Sequence, residues 1–221
     1  HSNIAEATVD CLFKPIHSKF IEAHGVIKGS DVAVLALGKL GSREMTASSD
    51  LDLVIIYKAP KGSTGSDGTK PLSVSHYFAR LSQRLINALT ALTPEGDMFK
   101  VDMRLRPSGN SGPIATTIEA FAAYHAEEAW TWEHMALSRA RVISGSRQLK
   151  KDVKTVIQDT LVKVRDVTVL KKDVSDMREK IQKANNTNII WDVKYIRGGL
   201  LDIEFIAQYL QLKHASNYPL I

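Results

Sequence analysis

The chain has 221 residues, 44% of them hydrophobic and 24% charged, which allows one or two domains around a sizeable core. No apolar run approaches the about 18 residues of a membrane span, and no signal-peptide pattern is present, so neither a membrane role nor secretion is expected. A single cysteine, Cys11, excludes an internal disulfide framework and fits a reducing cytoplasm, while a net charge of +5 spread along the chain suits a triphosphate but falls short of a nucleic-acid footprint.

His1, Ser2 and Asn3 are set aside as extraneous to the fold. From about Ile4 to His24, Ala5, Val9, Leu12 and Phe13 recur at helical spacing, and Pro15 is expected to kink or split that helix. Gly25 to Gly29 breaks it before an apolar run, Val32 to Leu37, that reads as a strand. The chain then turns through Gly41-Ser42 and returns through Ser49-Asp50-Leu51-Asp52 into a second apolar strand, Leu53 to Tyr57. Lys58 to Pro71 has the composition of a mobile loop, either a functional flap or a plain solvated connection. Val74, Tyr77, Phe78, Leu81, Leu85, Leu89 and Leu92 mark an amphipathic helix, ended by Thr93-Pro94-Glu95-Gly96. Phe99 to Leu105 alternates apolar and polar like a half-buried strand, with Asp102 on its polar face beside Lys100 and Arg104.

Pro107 to Pro113 is dense in turn residues and marks the expected domain boundary, giving a mixed-sheet domain over residues 1–110 and a helical bundle over 111–221. No strand is expected beyond it. Thr117 to Arg141 reads as one helix, or as two broken near Thr131. Asp152 to Val164 and Leu170 to Ala184 are amphipathic, Asn185 to Asn188 reads as a turn, and Arg197-Gly198-Gly199 precedes a last helix, Leu200 to His214. The fold class is therefore α+β, and no internal repeat is visible.

Asp50 and Asp52 lie two residues apart, so an extended backbone projects both side chains from one face. Two carboxylates that close repel unless a cation sits between them, and Mg²⁺ suits such hard oxygen ligands, completing its shell with phosphates and water. The Gly41-Ser42 turn offers backbone N–H groups and a hydroxyl to phosphate oxygens. Asp-x-Asp at a strand start also arises by chance, but carboxylates next to a core strand need a reason to be there. Asp102 is the candidate third carboxylate; its alternative role is a surface residue paired to Arg104. Arg104 and Arg106 either bind departing pyrophosphate or make structural ion pairs to Asp52 or Asp102. Trp130 and Trp132 read as core or interface residues rather than an adenine platform, His134 as a buried histidine rather than a ligand, and Asp202 and Glu204 as first-turn anions favoured by the helix dipole.

Gly41-Ser42, then Asp50-Leu51-Asp52-Leu53, then a later strand carrying Asp102 resembles the nucleotidyltransferase superfamily typified by DNA polymerase β. More narrowly, GKLGSREMTASSDLDL, VDMRLRPSGNSGP, AWTWEHMALSRARVISG and RGGLLDIEFIAQYLQ resemble blocks of the bifunctional glutamine synthetase adenylyltransferase/adenylyl-removing family, from about Asp31 to His214. That family has two homologous halves, one adding AMP from ATP and one removing it by phosphorolysis, and the Ala129–His134 block is more similar to the adenylylating half. The chain is far shorter than a two-half enzyme and is expected to be a fragment of one. The resemblance implies a polymerase β-like catalytic domain followed by a truncated helical bundle. It implies Asp50, Asp52 and Asp102 as metal and catalytic residues, and Gly41, Ser42, Arg104 and Arg106 as phosphate binders. Mg²⁺ (or Mn²⁺) and ATP are the implied cofactor and substrate, with glutamine synthetase and a PII-type regulatory protein as partners. The alternatives are the AMP-removing half or a non-catalytic nucleotide-sensing module.

Overall fold

In the computed structural model, which describes residues 1–185 and 191–219, the apolar runs on either side of Asp50 pair as antiparallel strands. Helix α1 (Ser2–His24) leads into β1 (Asp31–Ala36), a single turn of helix α2 (Gly38–Ser42), and β2 (Leu51–Lys58). β1 and β2 run in register from Asp31 opposite Lys58 to Ala36 opposite Leu53. Helix α3 (Val74–Leu89) follows, then a two-stranded ribbon, β3 (Leu92–Thr93) with β4 (Gly96–Asp97), where the sequence reads as a plain helix stop. β5 is limited to Val101–Asp102 and pairs in parallel with the start of β2. The expected longer strand ends there because the Asp102 carboxylate accepts the Arg104 N–H at 2.8 Å, a local turn that competes with strand pairing.

Two strands lie beyond Pro113, correcting the expectation of none. β6 (Ala115–Thr117) pairs in parallel with Ile55–Tyr57 of β2, and β7 (Arg141–Ser144) pairs antiparallel with β1. The result is a five-stranded mixed sheet in the order β5-β2-β1-β7, with β6 on the β5 edge of β2. Side chains of Val32, Val34 and Ala36 in β1, and Leu53, Ile55 and Tyr57 in β2, join one core with Ala5, Val9, Phe13 and Phe20 of α1 and the stripe Tyr77, Phe78, Leu81, Leu85 and Leu89 of α3. Ala33, Leu35, Val54 and Ile56 are buried as well, so both sheet faces are covered, which explains unbroken apolar runs in place of alternation.

Pro15 lies inside α1 without dividing it. Burial of Phe13 before it and Phe20 after it, against α3, offsets the roughly 3 kcal/mol that an interior proline costs. Ser2 belongs to the fold too: it is buried, and its hydroxyl accepts the Met45 N–H at 3.1 Å. The Lys58–Pro71 segment is neither a flap nor a free loop over its second half. The Val26 N–H donates to Asp67 Oδ1 at 2.8 Å, His24 Nδ1 meets the Lys70 carbonyl at 2.8 Å and the Gly68 N–H donates to the His24 carbonyl at 3.1 Å, tying it to the end of α1.

The remaining helices are α4 (Ile118–Glu127), α5 (Thr131–Leu137), α6 (Arg147–Leu161), α7 (Val167–Ala184) and α8 (Leu200–His214). The chain divides into two compact units: His1–Glu127 with Arg139–Thr155, and Glu128–Ser138 with Val156–Ile221. In the second, Met135, Leu170 and Leu212 form a small core with Trp132, Leu161, Val174, Phe205 and Tyr209 against it. The turn expected at Asn186–Asn188 lies outside the described residues.

Candidate active site

The floor of the site is β2, whose first residues pair with β5 so that Leu51 faces Val101 and Asp52 stands directly opposite Asp102. Parallel register therefore brings together two carboxylates that are far apart in sequence. Asp50, one residue before β2, is exposed at the mouth. Asp52 is half-buried, and its carboxyl is pushed up to about 6, first by burial and then by the negative charges of Asp102 and Asp50. Arg139 and Arg104 oppose that rise without cancelling it. Asp102 is shifted the other way, below the ordinary carboxylate range, chiefly because Arg104 donates to it. Arg104 Nε donates to Asp102 Oδ2 at 2.8 Å and Nη2 to the same oxygen at 2.5 Å, a fork on one carboxylate. The Arg104 side chain is 73% exposed and the Asp102 side chain 16%, so the pair meets solvent on the arginine side.

α2 forms the wall above Asp52. Gly38 has φ of +50°, and a Cβ there would stand 2.1 Å from Asp52 Oδ2, so glycine is what lets the backbone lie against the carboxylate. At Gly41 a Cβ would stand 2.1 Å from the Arg139 carbonyl oxygen, so the turn of helix and the segment before β7 approach to backbone contact. The Gly41 N–H is used within this turn, donating to the Leu37 carbonyl at 2.8 Å. The Ser42 hydroxyl donates to Glu44 Oε2 at 2.8 Å. Arg106 braces its own turn, donating to the Met103 carbonyl at 2.8 Å and the Gly112 carbonyl at 3.3 Å, and takes neither Asp52 nor Asp102 as an ion-pair partner.

Two arginines that sequence reading did not assign to the site belong to it. Arg139 is in the first compact unit, close enough for its charge to favour the ionised form of Asp52. Arg141, on β7, holds α2 in place: Nε donates to the Gly41 carbonyl at 2.6 Å, Nη2 to the Leu40 carbonyl at 3.0 Å, and Nη1 to Glu6 Oε2 at 2.9 Å. Both occur in the ALSRARVISG block, where β7 is too short to signal itself.

The second unit explains the other residues singled out. Glu133 is buried and accepts the Trp130 N–H at 2.8 Å, capping α5. Trp130 is 71% exposed, Trp132 packs on the small core, and His134 is half-buried. Asp202 in α8 forms an ion pair with Arg178 and accepts the Gly198 N–H at 2.5 Å, which accounts for its place in the first helical turn.

Among the described residues, no three His, Cys, Asp or Glu side chains converge into a closed metal cage. The opposed Asp52 and Asp102 nonetheless fit Mg²⁺, which takes one or two carboxylates and fills the rest of its shell from phosphates and water. Burial and then carboxylate crowding raise Asp52, and the crowding is what a bound cation would relieve.

The mixed sheet thus sets opposed carboxylates on adjacent parallel strands, walled by a glycine-bearing turn of helix. A family model described as glutamate-ammonia ligase adenylyltransferase matches residues 2–156, and the chain belongs to that family. It is similar to proteins named bifunctional glutamine synthetase adenylyltransferase/adenylyl-removing enzyme: 49% identical over 218 residues to that of Bradyrhizobium diazoefficiens. The identity is 48% over 218 residues for Rhodopseudomonas palustris and 48% over 220 residues for Xanthobacter autotrophicus. Each match covers 99% of this chain and 22% of the relative, so the chain spans about a fifth of their length.

Proposed function

We propose that this chain holds a nucleotidyltransferase centre that moves AMP from ATP to a tyrosine hydroxyl of glutamine synthetase, releasing pyrophosphate, in cytoplasmic nitrogen regulation. The observation that carries the reading is the register of Asp52 against Asp102, with Asp52 crowded by like charge and a guanidinium poised on Asp102. Mg²⁺ or Mn²⁺ held by Asp52 and Asp102, with Asp50 at the mouth, would neutralise triphosphate charge and make the attacked phosphorus more electrophilic.

The protein's own groups do the rest. Arg104, largely exposed, exchanges Asp102 for phosphate oxygens, which a planar guanidinium fork binds in the same way as a carboxylate. That exchange uncovers the Asp102 oxygens and leaves a carboxylate able to accept the tyrosine proton as the P–O bond forms. Gly38 and Gly41 keep the wall thin, Ser42 supplies a hydroxyl beside the outer phosphates, and Arg139 adds positive charge near Asp52. Arg106 shapes the turn after β5 and so aims Arg104. A PII-type regulator is the second proposed partner, on family resemblance.

The test is incubation with Mg²⁺-ATP and unmodified glutamine synthetase, reading AMP addition to tyrosine by mass spectrometry, run in parallel with adenylylated glutamine synthetase plus phosphate. Transfer lost in Asp102→Asn, with ATP affinity kept within a few-fold, supports the reading. AMP removal without addition reassigns the direction. Unimpaired transfer by the Asn variant overturns the site.

A further inference from the structure

Within the second unit, α7, α8 and the segment leading into α8 line an open groove of about 830 Å³, in the size range of small-molecule pockets. Its walls differ in chemistry. Phe205, Ile206 and Tyr209 of α8, with Val174 of α7, supply an apolar and aromatic side, and Ile206 is left 59% exposed. Lys171, Arg178, Lys183 and Arg197 supply four cations against two carboxylates, Glu179 and Asp202.

Those two carboxylates do not balance the cations. Asp202 is engaged by Arg178 Nε and by the Gly198 N–H. Glu179 reaches Lys183 at 3.9 Å, both being exposed. Arg197 also favours the ionised form of Asp202, and with Lys171 it makes the excess of four cations over two carboxylates on the groove. At its base lies Arg178, whose side chain is 13% exposed. Nη2 donates to the Tyr195 carbonyl at 3.2 Å, whereas Nη1 is buried with no hydrogen-bond partner among the described residues. A buried guanidinium N–H left unsatisfied is costly, and anchoring the same guanidinium through Asp202 and Tyr195 fixes its direction.

We infer that this groove is a binding site for a small organic anion: a carboxylate or phosphate headgroup on an apolar body, the headgroup taken by Arg178 with Lys171 and Arg197, the body laid along Phe205, Ile206 and Tyr209. The site is independent of the nucleotide reading. A wholly apolar ligand would leave the cations unanswered, and an inorganic anion would leave the aromatic side unused.

Anilinonaphthalene sulfonate has both features and is the probe. Its fluorescence on titration should report one site per chain. Octanoate and octyl phosphate should displace it and octanol should not; the stronger of the two acids identifies the headgroup. Lys171→Glu and Arg197→Glu, both exposed and foreign to the fold's core, should each weaken probe binding roughly tenfold or more, the scale of a lost charge-assisted contact. Ile206→Ser should weaken it as well, whereas Ile203→Ser, an equally exposed aliphatic change on α8 away from the groove lining, should leave it within about twofold. Arg178→Gln should abolish binding; circular dichroism reports whether that variant folds, and the exposed variants decide the matter where it does not. Displacement by octanol as strong as by octanoate, indifference to both charge reversals, or equal losses in Ile203→Ser and Ile206→Ser would overturn the assignment.

Discussion

Replacing Asp52 by Asn separates the electrostatic reading of the site from a purely structural one. The carboxyl is pushed up to about 6 from an ordinary 3.8, by burial first and by Asp102 and Asp50 after it. At about 1.4 kcal/mol per pH unit, ionised Asp52 costs the fold at most about 3 kcal/mol above neutrality. Solvent reaches this half-buried residue and screens the cost, leaving about 1–2 kcal/mol. The direction follows from a carboxyl raised on folding. Its contribution is intact below 3.8 and is lost as the pH rises through about 6. Asn has the shape of the carboxylate and no charge, so it still lies against Gly38. Without ligand, the variant should match the parent near pH 4 and exceed it at pH 8 by roughly 3–6 °C in thermal melts. With Mg²⁺-ATP at pH 8, the order should reverse, because the parent gains by mass action what the variant cannot. A gap that is the same at both pH values refutes the electrostatic account, and an Asn variant that gains as much from Mg²⁺-ATP as the parent refutes the metal assignment.

Gly41→Ala should lower stability by about 1–3 kcal/mol in denaturant melts, because its Cβ meets the Arg139 carbonyl oxygen and neither backbone can yield cheaply. Arg141→Met removes the donors that fix α2 and should cost about 1.5–3 kcal/mol while also weakening ATP binding in calorimetry; unchanged ATP affinity would mean that α2 does not contact nucleotide. Arg104→Gln frees Asp102 and removes a phosphate ligand, so ATP affinity should fall although a cation site is uncovered; a rise in ATP affinity would show that Arg104 acts as a plug and not as a binder. Mg²⁺ and ATP together should raise the melting temperature by more than the sum of their separate effects, and simple additivity would speak against a shared site.

What could be read from sequence follows from how locally each feature is determined. β1 and β2 announce themselves because burial on both faces writes an unbroken apolar run, and α3 because one buried face writes a stripe. β6 and β7 are three and four residues long and exist through their pairing with β2 and β1, a non-local cause that leaves no local periodicity. The same holds for the site. Asp50 and Asp52 are neighbours in sequence, and Asp102 could be proposed from the alternation around it, but its position opposite Asp52 is a matter of parallel register. Arg139 and Arg141 reach the site through the chain's return to the sheet, so their spacing from one another says nothing of Asp52 or Gly41. The second half of the Lys58–Pro71 segment has a loop's composition, but it is held by hydrogen bonds to His24 and Val26, partners distant in sequence that local composition does not register.

The opposite shifts of Asp52 and Asp102 follow from two asymmetries: Asp52 is raised first by burial and then by its acidic neighbours, and Asp102 is lowered first by Arg104. Both carboxylates occupy equivalent register positions on adjacent strands, yet Arg104 reaches Asp102 and no comparable fork reaches Asp52. Asp102 is thus ionised and occupied, whereas Asp52 is crowded and wants a cation. Two titratable groups pushed apart by their surroundings mark a division of roles. Under the proposed function, a triphosphate arriving with its metal would answer both at once: the cation would relieve the crowding at Asp52, and a pair of phosphate oxygens would offer the Arg104 fork a second partner. On that proposal neither event alone would suffice, since a cation without phosphate would leave Asp102 covered, and phosphate without a cation would add negative charge beside Asp52. In the proposed reading, the requirement for both would rest on the pairing of β2 with β5 and on the short reach from Arg104 to Asp102, two residues back along the same chain.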